Sequence, residues 1–100
     1  MKDLSITVLF DYYSDALSEK QRQIFDSYYN LDLSLSEIAE NTGITRQGVR
    51  DFIKRTEQQL LELENSLKFA QKCGELKSLA ESVKSDDPQV KNLIMLINEL

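Results

Sequence analysis

Residues 34–54 read SLSEIAENTGITRQGVRDFIK, and this stretch predicts a helix-turn-helix. Ser34 and Glu37 have the three-residue spacing of a capping box, which opens a first helix. Gly43 supplies the positive φ that is favoured just after a helix ends, and Thr45 is a residue type that caps the start of a second helix. Two caps on either side of one turn glycine therefore predict two helices joined by a tight turn.

The apolar residues of this stretch have the spacing needed to pack the two helices together. Ala39 is small where the second helix is expected to cross the first, and Ile44 fills the gap between them. Val49, with Phe52 or Ile53, is predicted to anchor the second helix to the core.

The same register leaves polar and basic residues on the outer face of the second helix, which enters the major groove in DNA-binding proteins with this motif. The predicted groove-facing residues are Thr45, Arg46, Gln47, Arg50, Asp51 and Lys54. Arginine can bond to guanine and glutamine to adenine, whereas an aspartate can read a cytosine amine or simply repel the backbone. Arg55, together with Ser34 and Ser36 at the start of the first helix, is better placed to bind phosphates.

Charge is distributed unevenly along the chain. The net charge is −5, which by itself disfavours a polyanionic partner because duplex affinity depends largely on neutralised phosphates. Residues 45–56, however, contain four basic residues and one acidic residue, so they carry +3 and the other 88 residues carry −8. This local basic charge favours a nucleic acid as the partner of the segment.

The rest of the sequence predicts an all-α fold, because three glycines and one proline leave little turn chemistry for a many-stranded sheet. Residues 6–10 would also pass as a short strand, but no partner strand is visible, so we interpret 4–17 as a helix. The predicted single domain, residues 1–100, has an N-terminal helix over 1–17, a trihelical helix-turn-helix unit without a wing over 18–56, and a C-terminal helical dimerisation region over 57–100.

Local signals place the other helix ends. A second capping box at Ser18 and Gln21 opens a helix that runs to about Asn30. Beyond Gly48 no glycine or proline occurs before Gly74, so the sequence predicts one helix from Thr45 to about residue 72, followed by a helix over 75–84. An aspartate and a proline at positions 87 and 88 are a strong start signal for the last helix.

An apolar stripe runs along the long second helix and beyond the trihelical unit. Val49, Ile53, Thr56, Leu60 and Leu63 recur at alternating spacings of four and three residues, and this heptad pattern is typical of a coiled-coil seam. The alternative is that this face packs within the monomer. The favoured interpretation is a homodimer, with contacts at Leu60, Leu63, Leu67, Ile94 and Ile97.

Composition excludes several function classes. The chain has no histidine and a single cysteine, Cys73, so the usual triads and structural zinc sites cannot be built. No phosphate-binding glycine motif occurs, and we therefore expect a protein that is not an enzyme, with no metal, no cofactor and no small-molecule substrate. We also expect a cytoplasmic location and no membrane association, because the longest apolar run is Leu93 to Ile97 and the first residues do not resemble a signal peptide.

Several segments together resemble the YlxM-like family of small bacterial helix-turn-helix proteins. The resemblance covers roughly residues 8–70, and Gly48 departs from it because the family more often has alanine there. The segments that carry it are LSLSEIAE at 33–40, TRQGVRD at 45–51, LFDYY at 9–13, KQR at 20–22 and IKRTE at 53–57.

The resemblance implies a helix-turn-helix similar to region four of bacterial sigma factors. It also implies a link to components of the signal recognition particle, because members are commonly encoded beside the GTPase of that particle. The sequence therefore supports two functions: a DNA-binding, regulatory helix-turn-helix protein, with DNA favoured over RNA, or an RNA- or protein-interaction module of the particle. Tyr12, Tyr13, Tyr28 and Tyr29 could stack on single-stranded RNA, but their apolar surroundings predict core positions.

Overall fold

The computed structural model describes residues 5–100, and within them every regular element is helical, which confirms the all-α prediction. The first four residues of the predicted N-terminal helix lie outside the described residues. None of the helices in this range combines the length and apolar content needed to cross a membrane. The elements are α1 (Ser5–Tyr13), a 3₁₀ turn (Ser14–Ala16), α2 (Glu19–Tyr29), α3 (Leu35–Thr42), α4 (Arg46–Leu67), α5 (Phe69–Ser82) and α6 (Pro88–Asn98).

Both predicted capping boxes are formed. The Ser18 hydroxyl accepts from the Gln21 amide at 3.1 Å, and the Gln21 side chain accepts from the Ser18 amide at 2.9 Å. Ser34 and Glu37 make the same reciprocal pair at the start of α3, with both distances 3.1 Å. Gly43 has φ 75° at the end of α3, as predicted. These bonds satisfy amide groups that would otherwise lack a partner in the first turn of each helix.

Two hydrophobic clusters share α4. In the first, Ile24 of α2 and Ile38 of α3 pack with Val49 and Ile53 of α4, and this cluster holds the helix-turn-helix together. The second is built around Leu60 of α4, further along the same face. It also includes Ile6, Tyr13, Leu17 and Phe25 from the preceding elements. The helix-turn-helix and the N-terminal helix are therefore packed on one continuous side of α4.

The N-terminal helix is shorter than predicted. It is helical rather than extended, and Ile6 and Tyr13 are buried. A 3₁₀ turn follows Tyr13, and Leu17 after it is extended, with φ −97° and ψ 154°, directly before the cap at Ser18. The guanidinium of Arg22 donates to the Leu17 carbonyl at 3.0 Å and to the Ser14 carbonyl at 3.3 Å. Arg22 thereby stabilises the turn between α1 and α2.

The prediction of one helix from Arg46 to about residue 72 is wrong. The chain leaves the helix at Lys68, which has φ 56°, and a new helix begins at Phe69. Gly74, predicted to interrupt or end the long helix, lies in the interior of α5 instead. No glycine or proline marks the break, so the local sequence carries no signal for it.

The break is stabilised by a side chain from α1 and another from the last turns of α4. Tyr13 of α1 donates its hydroxyl hydrogen to the Glu64 carboxylate, and the same hydroxyl accepts from the Phe69 amide at 3.0 Å. The Glu64 carboxylate also accepts from the amides of Ala70 and Gln71, at 3.1 and 3.0 Å. A carboxylate at this position satisfies the free amides at the start of α5 and complements its dipole.

Gly74, inside α5, and Gly43, at the end of α3, should respond to alanine with opposite changes in stability. Gly74→Ala should raise the free energy of unfolding by about 1 kcal/mol, because an added Cβ meets nothing within 4 Å and alanine is the better helix former. Gly43→Ala should lower it by about 1–2 kcal/mol, because its φ is positive. Urea denaturation measures both, and a destabilised Gly74→Ala would contradict the position of Gly74 inside α5.

The contact between Tyr13 and Glu64 should appear in the pH dependence of stability. Burial, reinforced by the hydrogen bond to Glu64, raises the pKa of Tyr13 above its ordinary value of 10.0. The neutral hydroxyl therefore contributes stability that is complete below pH 10 and is lost as pH rises through the folded-state pKa. We expect Tyr13→Phe to cost about 1.5 kcal/mol at neutral pH, with a smaller difference from the wild type above pH 10. A difference that stays constant with pH would contradict this role.

Candidate nucleic-acid interface

The first half of α4 is fixed from both its start and its inner face. The Thr45 hydroxyl accepts from the Gly48 amide at 3.0 Å, which confirms the predicted cap. Val49 and Ile53 are buried against α2 and α3. Because these residues occupy the inner face, the opposite face of the helix is directed to solvent along its first two turns.

Three cations lie on this outer part of α4. Arg46, Arg50 and Lys54 are exposed and follow one another at intervals of four residues, close to one helical turn. Within the part of the chain that the structure describes, none of the three makes a hydrogen bond or an ion pair. Unpaired cations on a rigid helix are available to an anionic ligand without first breaking an existing contact.

Gln47 and Asp51 lie on the same face but are bonded to each other. The Gln47 side-chain amide donates to the Asp51 carboxylate at 3.0 Å, one turn further along α4. To bond to an adenine in the way predicted, Gln47 would have to leave this partner. Asp51 keeps a negative charge in the centre of the basic face.

The two predicted serines have different surroundings. The Ser34 hydroxyl already accepts a hydrogen bond in the capping box, whereas the Ser36 side chain is exposed and has no hydrogen bond to any of the residues from 5 to 100. Next to the start of α3, Leu35 lines an open groove of about 330 Å³ together with Arg46, Gln47 and Arg50. This groove connects the start of α3 with the basic face of α4. Ser36 is not among its lining residues, but of the two serines it is the one whose hydroxyl no described residue engages.

Arg55 lies on the other flank of α4. Its guanidinium is 5.7 Å from the centre of the Phe52 ring, and it lines a second groove with Ser18 and Gln21 of α2. The ammonium of Lys20, also from α2, is 5.9 Å from the same ring. Lys20 was not predicted as a site residue, because nothing in its local pattern indicates that α2 starts beside Arg55. The basic residues of the site are therefore divided between two flanks.

Gly48 is explained by its own turn. A Cβ at this position would lie 2.7 Å from Cγ2 of Ile44 and 3.0 Å from Oγ1 of Thr45. The glycine thus gives room to the side chain that fills the turn and to the helix cap. An alanine here requires the Ile44 side chain to shift.

The predicted dimer residues are placed in different environments. Leu60 is 0% exposed and belongs to the core of the single chain, so its assignment to a dimer surface is wrong. Its apolar environment comes from α1 and α2, which pack on this part of the stripe. Leu63 packs partly against the same cluster, and Leu67 is 62% exposed. For Leu63, Leu67, Ile94 and Ile97 the dimer contact remains a prediction.

The four tyrosines pack against the two cores, as predicted from their apolar surroundings. Tyr13 is buried, and the Tyr29 ring stacks on Phe25 with ring centres 4.4 Å apart. Tyr12 and Tyr28 are half-buried. These packing contacts account for the tyrosines without a nucleic-acid base.

The fold and this exposed face define a helix-turn-helix protein. The family model described as "Putative helix-turn-helix protein, YlxM / p13 like" matches residues 1–100, and the chain belongs to this family. The family resemblance deduced from the sequence is therefore confirmed.

Relatives carry the name UPF0122 protein. One from Clostridium kluyveri is 43% identical over 97 residues, which are 97% of this chain and 78% of that protein. One from Halalkalibacterium halodurans is 45% identical over 86 residues, covering 82% of this chain and 79% of that protein. The match to a Clostridium novyi relative, 44% identical over 73% of this chain, spans 64% of that protein's length.

Proposed function

We propose that this chain binds nucleic acid without catalysing a reaction, and that duplex DNA is its preferred ligand. The observation that carries the proposal is the set of unpaired cations Arg46, Arg50 and Lys54 on the exposed face of a helix whose other face is buried. A helix-turn-helix uses this helix to enter the major groove. The basic charge is concentrated at the position where the motif requires it.

The two flanks of α4 give the contacts separate roles. We expect Arg46 and Arg50 to bond to guanine edges in the major groove. Ser36, at the start of α3, would bind a phosphate on one side of that groove, and Arg55 and Lys20, on the other flank of α4, would bind phosphates on the opposite side. Phosphate contacts on both flanks would fix the orientation of the helix before any base is read.

Affinity should be modest and sensitive to salt, because most of the chain is acidic. Three or four neutralised phosphates give a log–log salt slope of about −3 on duplex DNA. We propose that the protein acts in the cytoplasm as a DNA-binding regulator. We propose that it acts as a homodimer, since two basic faces acting together bind more tightly than one through effective concentration.

Replacing Arg46, Arg50 and Lys54 together by alanine should strongly weaken duplex binding and flatten the salt slope of the binding that remains. The matched control replaces Lys72, Lys84 and Lys91 by alanine. These residues lie after the helix-turn-helix, and the control removes the same number of positive charges. Fluorescence anisotropy at several salt concentrations measures both variants. If the two triple variants lose equal affinity, binding depends on overall charge and the α4 face is not the site.

Asp51 gives a second test with a defined sign. Asp51→Asn removes a negative charge from the centre of the face and keeps an oxygen that can accept from Gln47. We expect affinity for duplex DNA to rise roughly two- to fivefold at low salt, on every sequence tested. Glu62→Gln, the same charge change further along α4, is the control and should have a smaller effect. A loss of affinity confined to one sequence would instead mean that Asp51 reads a cytosine.

A second candidate function is association with the signal recognition particle, through its RNA or its GTPase. Two features favour a protein partner over bare DNA. They are the surplus of acidic charge outside residues 45–56 and the exposed apolar residues late in the chain. Parallel titrations of particle RNA, its GTPase component and random-sequence DNA separate the two functions. Tighter binding to the GTPase, unaffected by the α4 triple variant, would favour this second candidate.

A further inference from the structure

The last two helices form a hairpin that is poorly covered by the rest of the chain. α6 makes its main contacts with α5, and none of its residues is buried. Val90, Ile94 and Ile97 are half-buried and follow the helical period, so they mark the side of α6 that faces α5. The remaining apolar residues of α6 therefore lie outside this contact.

Each helix of the hairpin has one apolar flank. On α6, Leu93 and Leu96 are 57% and 63% exposed and lie on one side of the contact with α5. The other side carries Met95 between polar residues, Lys91 and Asn98. α5 repeats the pattern, with one exposed apolar stripe and polar residues elsewhere on its outer surface. The stripe consists of Leu76 and Leu79 in α5 and Val83 directly after the end of that helix.

The whole chain, of which the hairpin is one part, exposes more surface than a compact monomer. The radius of gyration is 17.5 Å, whereas a compact chain of 100 residues has about 13 Å. The accessible surface is 7097 Å², and a compact monomer of this mass exposes about 5,800 Å². The excess of about 1,300 Å² is larger than the roughly 800 Å² that each partner buries in a stable interface of standard size.

The charge of the hairpin indicates which partner fits. Residues 68–100 contain five lysines and five acidic residues, so this segment is neutral while the rest of the chain carries the full −5. Two copies can bring neutral apolar hairpins together without electrostatic repulsion at the contact. A nucleic acid, in contrast, is not attracted to a neutral apolar surface.

We infer that the hairpin of α5 and α6 is the surface on which a second copy of this chain packs, through the flanks that carry Leu76, Leu79, Val83, Leu93 and Leu96. The contact is isologous, with the same flanks used by both copies. It differs from the contacts predicted from sequence, because Leu60 is already buried in the single chain and Ile94 and Ile97 face α5. This contact gives the homodimer of the proposed function its interface, and it can be absent while nucleic-acid binding by α4 still holds.

Sedimentation equilibrium at micromolar concentration tests the inference. The wild type should have twice the 11.5 kDa mass of one chain. Leu93→Glu combined with Leu96→Glu should weaken association at least about tenfold, giving monomers with an unchanged helical circular dichroism spectrum. The control is Met95→Glu, at a residue of similar exposure (62%) on the other side of α6, and it should remain dimeric. A wild type that stays at the mass of one chain would overturn the inference.

Cross-linking keeps the test decisive if the double variant fails to fold. The native thiol of Cys73 is buried, so an engineered thiol is the accessible one. Leu96→Cys should give a covalent dimer with a short bis-maleimide, and Met95→Cys should give much less under the same conditions. Equal cross-linking at both positions would mean that this flank is not the contact, and absence of cross-linking in a dimeric sample would place the interface elsewhere.

Discussion

The buried face of α4 is the constraint on which the rest of the structure depends. Val49 and Ile53 hold α2 and α3, and Leu60 holds α1, so one helix organises both cores. Thr56 lies between the two clusters and is 1% exposed, and its hydroxyl donates to the Phe52 carbonyl at 3.0 Å within the helix. Since each cluster uses the same face, α4 cannot rotate to serve one without disrupting the other. The orientation of the basic outer face follows from this restriction.

The parts of the fold that were predictable are those determined by neighbouring residues. A capping box such as that at Ser34 involves residues three positions apart, and the positive φ of Gly43 depends on one residue, so the sequence contains the complete signal. The break at Lys68 is different. Its stabilising groups include the hydroxyl of Tyr13, which is 56 positions from the Phe69 amide it accepts from. No local pattern can indicate a helix start that is capped by a side chain so far away in sequence.

In the candidate site, too, the residues identified by local pattern were predictable and those positioned by tertiary packing were not. Arg46, Arg50 and Lys54 were found because helical period and local charge place them on one face. Lys20 was missed because its position beside Phe52 arises from the packing of α2 against α4. Sequence could not decide the role of the apolar stripe either, because a heptad pattern has the same period whether it packs on another copy or, as Leu60 does, on the chain's own helices.

The distribution of charge divides the molecule into a region suited to an anionic ligand and a region suited to an apolar contact. The first half of α4 carries an excess of positive charge and no large exposed apolar residue, whereas the hairpin of α5 and α6 is neutral and apolar on one flank of each helix. Between these regions, the Glu64 carboxylate accepts hydrogen bonds from the Tyr13 hydroxyl and from the Ala70 amide at the start of α5. Part of the acidic charge therefore holds the hairpin in position. Because that fixation runs through α1 and the end of α4, the direction of the hairpin is coupled to the same buried face that orients the basic residues. A partner that holds the hairpin therefore also determines how the basic face of α4 is presented.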